Sequence, residues 1–393
     1  VADDEQPPAE PAPPTKRHRR TVLKVIVATQ LVVALLSGGA VYAVWNQLEG
    51  NLAPGVPIPH KSDKPEAEGP KEPLNILVMG KDDRGCAGCA IDTEAGGGGS
   101  DTTMLLHLSA DRSEAYGVSL PRDAIVDRPA CTDAGGATVP AEKAVMFNTA
   151  FAEAGPLCTV RMVEELTGIY IDHFIVLDFN GFKEMVDAVH GVTVCIPKEV
   201  DDPRHQIFLE AGTQEVDGAT ALDYVRERYV LSVTGDIGRM KRQQAFVASM
   251  VNKVMSANTL SRPGRIRDFL KAVVGSIQVD SELDSLKALA DLAMQFRDTG
   301  LSDIQFITVP IEEYPEDPNR LQWTAEADKV WKRIIADRPL GANLSDDSIS
   351  AAQPPSGGAS GSPSGSPSQS PSGGSSEASE DEKAAAAAAG LCA

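Results

Sequence analysis

Leu74-Asn75-Ile76-Leu77-Val78-Met79-Gly80 is a continuous apolar run closed by glycine, and Lys81-Asp82-Asp83-Arg84 follows it at once. Apolar residues without alternation predict a strand buried on both faces, and the charges after the glycine predict a loop leaving its end. Similar runs stand at 103–108, 115–120, 170–179, 192–196 and 304–309. Helical periodicity appears at 159–166, 181–189, 218–226, 237–255, 265–274 and 283–296. Buried strands mixed with amphipathic helices predict an α/β layered fold, αβα, with helices on both faces of a central sheet. This domain is expected over 74–344.

Upstream, Val25 to Trp45 is free of charged side chains and follows Lys16, Arg17, Arg19, Arg20 and Lys24. Its twenty-one residues are long enough as a helix to span a hydrocarbon core of about 30 Å. A cleaved signal peptide is the rival reading, with Ala40-Val41-Tyr42-Ala43 offering small residues, but a signal's apolar region is shorter. The basic side predicts a cytoplasmic arm at 1–24, a transmembrane helix at 25–45, and an extracytoplasmic linker at 46–73. Everything after the span is then outside a cell membrane crossed once, N-terminus in. From Ser345 the chain turns to Ser, Gly, Pro and Ala, expected as a disordered tail over 345–393. With 36 Lys+Arg against 56 Asp+Glu the net charge is −20, which argues against nucleic acid as a partner.

An extracytoplasmic domain is where disulfides persist. Cys131 and Cys158 have a separation suited to stapling one loop, and are expected to pair. Cys86 and Cys89 form a lone C-x-x-C in a Gly-rich loop, read as a local disulfide before a redox or zinc site, for lack of a second pair or a nearby His. Cys195 and Cys392 carry no assignment.

Charged residues gather where strands end. Asp82 follows the first strand, Ser100-Asp101-Thr102-Thr103 opens the second, and Ser119-Leu120-Pro121-Arg122-Asp123 ends the third. Ends of neighbouring strands converge on one sheet edge, where α/β folds place ligands. Asp82 and Asp101 could supply the one or two carboxylates that Mg²⁺ takes beside phosphate oxygens. A second cluster, Arg226-Glu227-Arg228 and Asp236-Ile237-Gly238-Arg239-Met240-Lys241-Arg242-Gln243-Gln244, is locally positive. Arg239 and Gln243 are four apart on one helix face, and planar guanidinium groups suit a pyrophosphate. A solvated helix face is the alternative reading of the same spacing.

These pieces, together with Phe147-Asn148-Thr149-Ala150-Phe151, Val163 to Gly168 and Ala221 to Arg228, stand in an order that resembles the LytR-CpsA-Psr family over about 74 to 258. The resemblance implies a central mixed sheet and an extracytoplasmic phosphotransferase. It would move a glycopolymer from a polyprenyl-pyrophosphate carrier in the membrane lipid to peptidoglycan. It implies Asp82 and Asp101 as ligands of Mg²⁺ (or Mn²⁺), and Asp82, Asp101 and Arg122 as catalytic. Arg84, Arg226, Arg228, Arg239 and Gln243 would line the pyrophosphate, with Asp236 orienting them. His190-Gly191-Val192 departs from the family's common G-G-V, and Met146 takes a place often held by Lys. A polyprenyl-pyrophosphate hydrolase or a lipid-pyrophosphate binding module would use the same constellation. A DNA-binding regulator would need a helix-turn-helix that the N-terminal arm lacks.

The charge asymmetry around 25–45 predicts that a reporter fused after Ala393 is active only outside the cytoplasm. Activity of a cytoplasm-restricted reporter there would overturn the topology.

Overall fold

The run from Leu74 forms a strand, β1 (Leu74–Lys81), inside a seven-stranded sheet. The computed structural model describes residues 16–50, 52–60, 64, 71–82, 98–255, 274–275, 277–345, 347–353 and 380–392. The other strands of the sheet are β2 (Ser100–Leu108), β3 (Ala115–Leu120), β4 (His173–Asp178), β5 (Ile277–Val279), β6 (Ile304–Thr308) and β7 (Ile349–Ser350). Their spatial order is β5-β4-β1-β2-β3-β6-β7. The β1/β4 and β3/β6 pairs are parallel and the remaining neighbours antiparallel, so the sheet is mixed.

Alternate residues of each strand point to opposite faces, and the two faces feed separate cores. Leu77, Met79, Leu105, Val118 and Ile307 pack against α2 (Thr149–Ala154), α3 (Pro156–Thr167) and α8 (Ala327–Ile335), where Met162, Val330 and Trp331 are buried. Met104, Leu108, Ala115, Ile304 and Phe306 face α6 (Asp236–Met255) through Ala245 and Ala248. Helices therefore cover both faces, and the strands read as unbroken apolar runs because neither face meets water. A third core joins α4 (Phe179–Ala188) and α5 (Gly218–Arg226) to the hairpin 192–196/212–216, and α7 (Leu286–Gln295) packs on β5 through Leu289 and Leu292. At the turn into that hairpin His190 has φ of 60° and Gly191 of 84°. A left-handed backbone favours glycine, so His190 carries a backbone cost at this position.

Residues 52–60, expected as linker, lie on the domain. Val56 bridges Asp280, donating its N–H to the Val279 carbonyl at 3.1 Å, and His60 stacks on Tyr170 at 4.1 Å. α1 (Lys16–Glu49) belongs to a separate unit ending at Asn51. Val25, Ile26, Leu31, Leu35 and Leu36 on it are exposed. Among the described residues no helix is long and apolar enough to cross a membrane, the described side chains of α1 running unbroken only over 24–39.

The C-terminal segment also differs from the expected disordered tail. Residues 349–350 form an edge strand, and α9 (Glu380–Ala389) lies on α6 with Ala389 and Leu391 buried. The Ala388 carbonyl accepts from Val233 N–H and from Ser232 Oγ, each at 3.2 Å. Cys392 is bonded to Cys195, with Cα atoms 5.9 Å apart. Alanine is the best helix former but buries almost no side chain. A short Ala run therefore gives no periodicity to read, and a covalent tether supplies what apolar area does not. The predicted helix at 265–274 lies almost wholly outside the described residues, as do Arg84, Cys86 and Cys89.

The Cys131–Cys158 disulfide is formed and ties the strand Cys131–Thr132 to α3 across 27 residues. Replacing either cysteine by Ser should lower stability by about 2–5 kcal/mol in chemical denaturation, and an unchanged midpoint would show that the bridge contributes nothing. On α5, burial pushes the Asp223 carboxyl up to about 6, with Arg226 opposing. The folded chain then holds a proton that the unfolded chain has released, so this contribution is complete below the unfolded value and is lost as pH rises through about 6. Asp223→Asn should flatten the decline of stability between about pH 4 and 6, followed by melting temperature across that range.

Candidate functional site

Three strand ends and one helix start meet at the site. Gly80 pairs with Thr102 but Lys81 pairs with Ser100, so Asp101 is the extra residue of a β-bulge between β1 and β2. A bulge breaks the ladder locally and re-aims the residue it releases. The Ser100 hydroxyl stabilises this irregularity by donating to the Thr102 carbonyl at 2.8 Å. Beyond the bulge, Asp82 N–H donates to the Gly99 carbonyl at 3.1 Å, which keeps buried Asp82 beside the same turn.

Arg122 leaves the end of β3 and is held in place by Phe147 and Asn148. Asn148 N–H donates to the Arg122 carbonyl at 3.1 Å, and Phe147 N–H to the Ala124 carbonyl at 2.8 Å. The F-N-T-A-F motif therefore fixes the backbone of the arginine loop. From there the Arg122 guanidinium reaches Asp101 Oδ1 at 2.5 Å through Nη1 and Asp236 Oδ1 at 3.3 Å through Nη2. Arg239, almost fully buried, meets Asp236 Oδ1 at 2.7 Å and Asp101 Oδ2 at 3.9 Å. Two arginines and two carboxylates thus interlock. Burial pushes the Asp101 carboxyl up, but Arg239, Arg122 and Arg226 together outweigh it and hold the group below the usual carboxylate range. Burial likewise opposes the charge on Arg122, and Asp236, Asp101 and Asp123 overcome it and raise its pKa.

The first two turns of α6 place these groups. Gly238 is required there, because a Cβ would lie 1.8 Å from Ser232 Oγ. Of the residues after it, Arg239 serves the ion-pair cluster and Gln243 donates to the Val225 carbonyl at 3.1 Å, near the end of α5. Gln244 donates to Ser119 Oγ and Thr308 Oγ1, both at 2.9 Å, which fastens the helix to the ends of β3 and β6. Arg242 is fully buried against Glu227, whose carboxylate also accepts the N–H groups of Tyr229, Val230 and Leu231. That pair shapes the loop which begins at Arg226 and carries Arg228.

Arg226 ends α5 with its guanidinium 4.6 Å from the Phe179 ring centroid, close enough to Asp101 to lower its pKa. Arg228 sits 5.0 Å over the Tyr229 ring. Asp101, Arg122, Asp236, Arg239 and Arg226 are thus brought together, with Asp82 at the neighbouring strand end. Gln243 is turned to the α5 backbone, and Arg84 lies outside the described residues. Sequence reasoning did not single out Asn148, Gln244 or Arg320, nor the bulge at Asp101. Asn148 and Gln244 lay within quoted motifs, whereas Arg320, which contacts Asp123 at 3.3 Å from 197 residues away, left no local signal.

Asp101 and Asp82 are oxygen donors of the kind a hard divalent cation accepts, which takes one or two carboxylates beside phosphate oxygens. Among the described residues no group of three or more His, Cys, Asp or Glu forms a protein-only metal cage.

Comparison with known proteins agrees with this architecture. The chain is 30% identical over 328 residues to the cell wall biosynthesis protein LcpA of Corynebacterium glutamicum, covering 76% of this chain and 61% of LcpA. It is 28% identical over 267 residues to TagU of Oceanobacillus iheyensis, a polyisoprenyl-teichoic acid–peptidoglycan teichoic acid transferase, covering 66% of this chain and 77% of TagU. The crystal structure of Bacillus subtilis TagV superposes with a TM-score of 0.52 at 24% identity over 68% of this chain and 99% of TagV, a likeness of fold. Residues 54–334 match the LytR_cpsA_psr family, which takes in six of the seven strands of the sheet, helices on both of its faces and the interlocked Arg/Asp cluster, and the chain is a member of that family.

Proposed function

We propose that this chain is a membrane-anchored, extracytoplasmic phosphotransferase that moves a glycopolymer from a polyprenyl-pyrophosphate carrier to peptidoglycan. The observation that carries this reading is the partly buried cluster of Arg122 and Arg239 on Asp101 and Asp236, with Arg226 beside it. Such cations, fixed before substrate arrives, stabilise charge on a transferring phosphoryl group without reorganisation. The transferase named among the relatives supports the same chemistry.

Arg122, Arg226, Arg228 and Arg239 bind the pyrophosphate oxygens and hold the phosphorus for attack from one side. A sugar hydroxyl of the acceptor forms the new P–O bond, the bond to the bridging oxygen breaks, and polyprenyl phosphate leaves. Asp101, kept ionised by its arginines, is a weak proton acceptor. Asp82, held beside the same bulge, takes the hydroxyl proton. Asp82 and Asp101 would also hold Mg²⁺ or Mn²⁺, which would neutralise phosphate charge. The apolar face of α1 supports anchoring beside a lipid-borne donor.

Purified protein incubated with lipid-linked saccharide, Mg²⁺ and peptidoglycan should give polymer bound to the peptidoglycan, whereas free saccharide phosphate alone would indicate a hydrolase. Arg226→Ala should weaken donor binding by about ten- to a hundredfold, the worth of one charge-assisted contact. Arg226→Lys should recover only part of it, a point charge lacking the planar fork. Asp101→Ala should remove turnover and the metal requirement. Lys253, paired with Glu215 at 2.5 Å, should tolerate Ala. Full transfer by both Arg226→Ala and Asp101→Ala in a chelator would refute the site.

A further inference from the structure

The hairpin Ile311–Tyr314/Asp317–Trp323 follows β6 and carries Glu312, Glu313, Glu316 and Asp317, with Arg320 as the one cation in 311–323. It is seated on the arginine loop. Leu321 bridges Ala124 and donates its N–H to the Asp123 carbonyl at 3.5 Å, and Trp323 lies 6.5 Å from the Phe147 ring. Arg320 Nη1 thereby reaches Asp123 Oδ1 at 3.3 Å.

Asp123 stands between two guanidinium groups. Its other oxygen is 3.7 Å from Arg122 Nε, too far for a hydrogen bond, and among the described residues that buried Nε has no hydrogen-bond partner. An unpaired buried N–H beside a carboxylate is a costly arrangement that a small movement of Asp123 would relieve. The movement would draw Arg122 toward Asp123 and off Asp101 and Asp236. Arg320 opposes it by holding the far oxygen. An ion pair with Arg320 about a third exposed contributes little to stability by itself, so the contact is better explained by what it does to Arg122.

We propose that Arg320 is a positioning residue for Arg122: it holds Asp123 away from Nε and so keeps the guanidinium aimed at the pyrophosphate site. The inference rests on the function proposed above and adds to it a residue from a distant hairpin.

Binding of geranyl pyrophosphate, measured by calorimetry, tests it alongside transfer kinetics. Arg320→Ala should weaken affinity about tenfold and lower kcat/KM in parallel, with the melting temperature nearly unchanged. Adding Asp123→Asn in the same chain should restore most of the affinity, because the carboxylate that captures Arg122 is gone. Arg320→Lys should retain most of the binding. Loss that persists in the double variant would mean that Arg320 touches the ligand or only supports the hairpin, and overturns the proposal. An Arg320→Ala protein with wild-type affinity overturns it too. If the wild-type chain binds no prenyl pyrophosphate, the functional reading fails and this inference falls with it, whereas wild-type binding with unresponsive Arg320 variants defeats the inference alone.

Discussion

The contact of Arg122 with Asp101 and Asp236 is the constraint on which the site depends. It joins a residue released by a bulge on β2, the loop after β3 and the first turn of α6 at one partly buried point. Removing charges from water costs several kcal/mol per ion, so such a cluster persists only if each member is held by others. Here Arg239 is shared by the same two carboxylates, and the backbone of the Arg122 loop is tied down by Phe147 and Asn148. The benefit is preorganisation: the cations are in place before any phosphate arrives.

α6 brings those charges to the sheet, and its polar residues divide the work by direction. Arg239 faces the cluster, Gln243 the end of α5, Gln244 the ends of β3 and β6, and Arg242 the buried carboxylate of Glu227. A basic run that looks like a single phosphate-binding face in one dimension is split by helix geometry into one site contact and three anchors. The Arg242–Glu227 pair shows the consequence. Breaking one partner of a fully buried pair typically costs about 3–5 kcal/mol. It would also release the N–H groups of 229–231, in the loop that carries Arg228.

The two ends of the folded unit are held by contacts distant in sequence. Val56 joins Asp280, and Cys392 joins Cys195 with α9 laid on α6. Neither segment has the apolar periodicity of a core element. Backbone hydrogen bonds and a covalent bond replace buried area, and these are features that composition does not encode.

From the sequence alone came the α/β class, the buried strands at 74–80, 103–108, 115–120 and 304–309, the helices at 218–226 and 237–255, the pairing of Cys131 with Cys158 and the family. Period and run length report burial directly, and an ordered set of motifs reports ancestry. The motif residues Asp101, Arg122, Arg226, Asp236 and Arg239 were legible as candidates for the same reason. Tertiary structure alone decided which of them meet. The bulge that frees Asp101 depends on a one-residue slip in pairing, and the inward turn of Gln243 and Arg242 depends on which neighbour each face of α6 finds. The approach of Arg320 to Asp123 depends on where a hairpin nearly two hundred residues away is seated. Each of these is a relation between segments that only folding brings together, and a linear pattern carries no measure of it.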